Sequence, residues 1–176
     1  MATLHINLFD PKSIAECIAR FESYSDKLDD ACDKIEEELA KVVSEETSAA
    51  YSASPGDLIE GESTRGLGDW SISTSKSKDG TKVEATGDDA MFLEFGAGMA
   101  TNGPAGGSPH PKGIEMGATI GSYGKGLASR LQIWPFKDSG GTHWSYGTTA
   151  TCGMYDAAQT AKSLVDIVKE SEMPTI

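Results

Sequence analysis

The chain is short of several things at once, and each shortage closes off a class of function. Its 176 residues include three cysteines, Cys17, Cys32 and Cys152, an odd number with no CxxC spacing. That pattern supports no disulfide framework, and reduced thiols in a cytoplasm are the simplest reading. No apolar run approaches the ~20 residues that a membrane helix requires, and the mean hydropathy is −0.32. The opening residues Met1 to Leu8 have no basic stretch ahead of an apolar one, so they do not read as a signal peptide. Bases are scarce as well: 15 Lys and Arg stand against 27 Asp and Glu, for a net charge of −12. Such a chain does not grip a nucleic-acid backbone by counterion release. Residues 1–53 hold 12 acids and five bases, a balance of −7, which reads first as a solvated helix face.

Catalytic signatures are also missing. Gly121-Ser122-Tyr123-Gly124-Lys125-Gly126 has Thr119 and Gly126 where a phosphate loop needs Gly and then Ser or Thr. It also breaks the order of a dinucleotide-binding turn. No G-x-S-x-G elbow occurs. His110, His143 and Cys152 match no zinc spacing, and a Cys152–His143 nucleophilic pair has no local signature. Glu94 lies in an apolar run, where a desolvated carboxyl would titrate high. No second acid, histidine or nucleophile is close to it in sequence. It is therefore expected to be a buried acceptor for backbone N–H groups of the glycine-rich stretch that follows. No catalytic residue, metal or cofactor is expected.

What remains is a pattern of elements filling about one domain. Asp10-Pro11 starts a helix, with a capping acid and then proline at the first helical position. Ile14, Ile18 and Phe21 share one face. A second helical stretch, about Ser25 to Tyr51, carries a seam of Leu28, Cys32, Ile35, Leu39 and Val42. Asp30–Lys34 and Glu37–Lys41 are spaced as supporting pairs. Packing within the monomer is the first use of such a seam, and contact between subunits the second. Thr3 to Leu8 alternates weakly, as a short strand does. Ser54-Pro55-Gly56 ends the helical arm, and residues 57–68 read as a polar loop. Trp70, Ile72 and Thr74, then Thr81, Val83 and Ala85, alternate about an Asp79-Gly80 turn and form an antiparallel hairpin.

Asp88-Asp89 can cap a short helix from Ala90, with Met91, Phe92 and Phe95 on one face and Gly96 as its left-handed stop. A strand over the same residues is the alternative. Residues Gly96 to Gly126 carry ten of the 20 glycines with Pro104, Pro109 and Pro111. Their composition favours disorder in the free chain and order at a protein interface. Leu131–Phe136 and Thr142–Tyr146 form a second hairpin about Ser139-Gly140-Gly141. Met154, Ala157, Ala161, Leu164, Val165 and Val168 mark an amphipathic C-terminal helix. Trp134 and Trp144 read as core aromatics of that hairpin, or as interface anchors if exposed.

The fold expected is α+β in a single domain over 1–176. It has a helical arm at 10–53, a hairpin and core motif at 69–96, and a glycine-rich loop at 97–130. A second hairpin and C-terminal helix occupy 131–172. The sheet has about four antiparallel strands, with the last helix on one face.

Leu93-Glu94-Phe95-Gly96 is an aliphatic-Glu-aromatic-Gly core, followed by a glycine-rich loop, a tryptophan-containing hairpin and a closing helix. In that order, over roughly residues 11–170, the chain resembles the tail-completion or neck family of long-tailed phages, the lambda minor tail protein Z type. The resemblance implies a non-enzymatic virion protein of the head–tail junction, assembled in the host cytoplasm. It implies a ring, six copies or alternatively twelve, between the connector or stopper and the tail terminator or tube. DNA would pass through without specific binding, and no membrane would be involved. The interaction residues it points to are Phe92, Leu93, Glu94, Phe95, Gly96, Gly98, Tyr123, Trp134 and Trp144. A small cytoplasmic hydrolase using Glu94 or Cys152, and an acidic DNA mimic, are the rival readings.

Overall fold

The computed structural model describes residues 6–59, 63–98, 108–113, 115, 134–138 and 140–174. The Asp10 carboxylate accepts the Lys12 N–H at 3.0 Å, and Pro11 opens helix α1, Pro11–Ser52. The two stretches expected from the sequence join into one helix of 42 residues, a rod of roughly 60 Å at ~1.5 Å per residue. Ile6 to Leu8 form no strand but lead into a turn; the rest of the expected first strand lies outside the described residues.

Residues after α1 are not all loop. β1 (Asp57–Ile59) and β2 (Ser63–Arg65) pair antiparallel, Asp57 opposite Arg65. The polar composition of 57–68 hid them, because each is only three residues long. β3 (Ser71–Ser77) and β4 (Gly80–Thr86) form the expected hairpin, with Ile72 opposite Ala85 and Thr74 opposite Val83. It is a separate two-stranded sheet that lies on α1. There Lys76 Nζ is 2.9 Å from an Asp33 carboxylate oxygen, and the Thr81 hydroxyl donates to Glu36 at 3.1 Å.

α2 (Ala90–Phe95) and β5 (Ala97–Gly98) follow. Later come β6 (Trp134–Asp138), β7 (Gly141–Thr148) and α3 (Gly153–Glu172). β7 is the spine of the larger, five-stranded sheet. One edge pairs with β1; the other pairs with β6 near Ser145 and with β5 at Gly147 and Thr148. The α+β class is therefore as expected, with two sheets where one of about four strands was read.

α3 packs antiparallel on the C-terminal half of α1. Gly153 sits against Ala50 and Tyr51, and at the other end Glu172 is 4.0 Å from Lys34. Apart from Tyr51 at the end of α1, the buried positions along this pair are small: Ala40 and Thr47 on α1, and Gly153, Ala157 and Ala161 on α3. The seam read from Leu28, Ile35, Leu39 and Val42 is only half-buried, and Cys32 is exposed. Close approach of two helices selects small side chains at the contact and moves the larger ones to its flanks. The helical pairs differ too: Lys41 pairs with Glu45 and Lys34 with Glu172, in place of Glu37 and Asp30. On α2 the buried side is Ala90, Leu93, Glu94 and Phe95, while Met91 is exposed. Tyr51, Ala90 and Leu93 centre the core with Leu67, Trp70, Ile72 and Ala85 around them. The Tyr51 and Trp70 rings meet edge to face at 5.5 Å.

Candidate functional site

Two helix ends meet at Glu94, and each supplies what the other lacks. The last carbonyls of a helix and its first N–H groups have no partner inside it. At the end of α2, the Leu93 carbonyl accepts the Thr151 N–H at 2.7 Å and the Glu94 carbonyl accepts the Cys152 N–H at 3.2 Å. At the start of α3, Cys152 occupies the capping position without a side-chain cap bond. Glu94 caps α3 from across the fold instead. Its Oε2 accepts the Met154 N–H at 2.8 Å and its Oε1 the Tyr155 N–H at 2.9 Å. These are the second and third residues of α3, the positions a capping side chain normally serves. A carboxylate there also meets the positive end of the helix dipole. Gly96 turns the chain out of α2 at φ 73°, and a Cβ on it would lie 2.9 Å from the Ala150 nitrogen.

Two more groups complete the carboxylate's shell. The Tyr51 hydroxyl donates to Oε2 at 3.0 Å, and His110 Nε2 lies 3.2 Å from Oε1. His110 Nδ1 accepts the Lys112 N–H at 3.0 Å, so Nε2 carries the hydrogen and donates it to Glu94. That makes the contact a hydrogen bond of a fixed imidazole tautomer rather than an ion pair. The imidazole is itself buried, with Phe95 at 4.4 Å and Tyr155 at 5.1 Å between ring centres. Four donors thus fill the four acceptor positions of one carboxylate. Burial, and then the Glu94 charge, push the Tyr51 phenol far above its ordinary range. Burial first, then Glu94 and Asp156, push the Cys152 thiol up to about 11. Cys152 also holds φ 52°, the left-handed region, which is uncommon for a residue with a Cβ.

A groove of about 350 Å³ opens beside this hub, lined by Tyr51, Met91, Phe95, His110, Met154 and Tyr155 among others. A second buried cluster lies on the larger sheet. The Ser145 hydroxyl donates to Asp57 Oδ1 at 2.5 Å and accepts the Gly147 N–H at 3.0 Å. Arg65 Nε stands 3.9 Å from Asp57 Oδ2. Burial raises the Asp57 carboxyl, while Ser145, Arg65 and Thr148 pull it back. This cluster ties β1 and β2 to β7.

Glu94 is the buried acceptor expected, but its backbone donors come from the start of α3 and not from the glycine-rich stretch. Part of that stretch packs inward, since His110 is buried; residues 99–107 and 116–126 lie outside the described residues. Of the residues singled out by sequence, Leu93, Glu94, Phe95 and Gly96 gather at the joint, and Phe92 is half-buried beside them. Gly98 pairs with Gly147. Trp144 is half-buried on β7, opposite Pro135. Trp134 lies on β6 opposite Ser145, its side chain outside the described residues, as is all of Tyr123. His110 and Cys152 come to Glu94, whereas His143 stands on β7 opposite Phe136. Among the described residues no group of three His, Cys, Asp or Glu is placed to hold a metal ion. Sequence reasoning missed Tyr51, and it weighed His110 only as a metal ligand and not as a donor to Glu94. One signal was available: Thr151-Cys152 is a poor cap for a helix, and a lone buried glutamate needs donors. No family model, curated protein or solved structure matches the chain.

Proposed function

We propose that the chain is a structural protein of the phage head–tail junction, joining copies of itself into a ring between the connector or stopper and the tail terminator or tube. One observation carries the reading beyond its resemblance to neck proteins. The N-terminal half of α1 runs on past the end of α3 and, around the buried Cys17, bears a partly exposed apolar face: Ile14 is 37% exposed, Ile18 52% and Phe21 62%. An apolar stripe on a long polar rod fits a surface that is covered on assembly. The glutamate of the core motif supports the same reading. Every acceptor position of Glu94 is taken: three bonds hold α1, α2 and α3 together and the fourth ties in His110, so its role is to fix a rigid joint.

Cryo-microscopy of purified virions tests the proposal. A closed ring of this chain at the neck is the expected result. Its presence in the capsid shell instead, or its absence from particles, would overturn it.

A further inference from the structure

Ahead of α1 stands an apolar tip held out by its own hydrogen bonds. The Asn7 side-chain oxygen accepts the Phe9 N–H at 3.1 Å, and the Asn7 carbonyl accepts the Asp10 N–H at 3.1 Å. Ser13 Oγ accepts the Asn7 N–H at 3.0 Å. A hydrophobe just before the cap usually folds back on the fourth helical residue, here Ile14. Phe9 does not: it is 97% exposed, and Leu8 is 74% exposed. The turn therefore presents a preorganised apolar knob.

The groove beside Glu94 has the opposite form. Its walls are largely apolar, from Met91, Phe95, Met154 and Ala158. Its main polar group, the Glu94 carboxylate, is already saturated by donors of this chain. It offers room for an apolar side chain and few polar atoms to orient a metabolite. Its rim carries the exposed Lys112, and the knob carries the exposed Asp10 next to Phe9. Knob and groove thus match in polarity and in charge. They lie at opposite ends of α1, since Tyr51 lines the groove, so a helix of roughly 60 Å keeps the chain from filling its own groove.

We infer that copies of this chain join head to tail, the Leu8-Phe9 knob of one seated in the Met91-Met154 groove of the next, with Asp10 facing Lys112. The inference rests on the ring reading and deepens it, because a heterologous contact of this kind closes into a ring when its rotation permits. A single knob covers less than the roughly 800 Å² per partner of a stable pair. One contact is therefore weak, and closure or a neighbouring neck layer supplies the rest.

The test is sedimentation velocity of the full chain across a hundredfold concentration range, with two variants. Phe9→Glu removes the knob and leaves the groove. Ala158→Glu blocks the groove at an exposed α3 position and leaves the knob. Wild-type protein is expected to grow in mass with concentration, and each variant alone to stay monomeric. Their equimolar mixture is expected to give a 1:1 dimer and nothing larger, because one usable knob meets one usable groove. Lys112→Asp should weaken wild-type association, since it sets a like charge against Asp10. Wild type that stays monomeric throughout, association of either variant alone, or a mixture that stays monomeric would each overturn the contact. Those failures leave the head–tail reading to be decided by virion imaging. Head-to-tail association by a chain absent from virions would overturn that reading and keep the contact.

Discussion

At the scale of single residues, Glu94 carries the largest consequence. Glu94→Gln keeps the shape but places an amide where at least one N–H or O–H donor now points. A buried donor left without a partner costs ~1–3 kcal/mol, and the lost negative charge at the start of α3 adds ~0.3–1 kcal/mol. Urea denaturation should show the variant less stable by roughly 1–4 kcal/mol on that reckoning; a change under about 0.5 kcal/mol would mean that the cap is not used. Cys152 is the second case. With its thiol pushed up to about 11, roughly one molecule in a thousand carries the thiolate at pH 8. Alkylation at that pH should label the exposed Cys32 well before Cys152, and labelling of Cys152 should keep accelerating up to about pH 11. Fast labelling of Cys152 at neutral pH would restore it as a candidate nucleophile. The sequence made Glu94 legible as an acid trapped among hydrophobes. Its partners were not legible, because Tyr51 lies 43 residues before it and Tyr155 61 after it. No local pattern encodes a cap supplied from another helix.

At the scale of elements, the fold depends on how closely α3 approaches α1. Gly153 marks the contact: a Cβ there would lie 2.8 Å from the Ala50 Cβ and 3.1 Å from the Tyr51 ring. Gly153→Ala must push the start of α3 away from α1 and so lengthen the Glu94 cap bonds. Overpacking of this sort costs ~1–3 kcal/mol, and a thermal melt should read it as a fall of several degrees. Gly66→Ala is the control, since a Cβ there meets nothing within 4 Å, and it should change stability by less than about 0.5 kcal/mol. Equal effects of the two would show that α3 has slack at Gly153. The periodic elements were the legible ones: α1 from its cap and apolar spacing, β3 and β4 from alternation about Asp79-Gly80, α3 from its amphipathic rhythm. The short strands β1, β2 and β5 were not, because two or three residues are too few to show a period. The α1 face was misjudged for another reason. Hydrophobic spacing finds large side chains, whereas the buried positions where the two helices run together include Ala40, Ala157 and Ala161.

At the scale of the whole molecule, charge opposes what the apolar surfaces favour. Two copies each carrying −12, with centres roughly 60 Å apart as head-to-tail rods would be, repel by about 10 kcal/mol in unscreened water. At 0.01 M salt the Debye length is ~30 Å, and the repulsion falls to roughly 1.4 kcal/mol; at 0.15 M it is ~8 Å, and almost nothing remains. The Asp10–Lys112 contact responds in the opposite sense, since screening weakens an attractive pair. An exposed pair is worth at most ~1 kcal/mol, and over a few ångströms it is screened far less than the long-range repulsion. Net charge therefore wins. Sedimentation equilibrium should find head-to-tail association tightening by roughly tenfold, the equivalent of about 1.4 kcal/mol, as salt rises from 0.01 to 0.15 M, and little changed beyond. Association that weakens steadily with salt would mean that ion pairs, and not the Phe9 knob, hold the copies together. In the proposed ring the same acid excess would keep phosphates from adhering to an inner wall, so the charge that weakens assembly at low salt would leave the channel free for DNA.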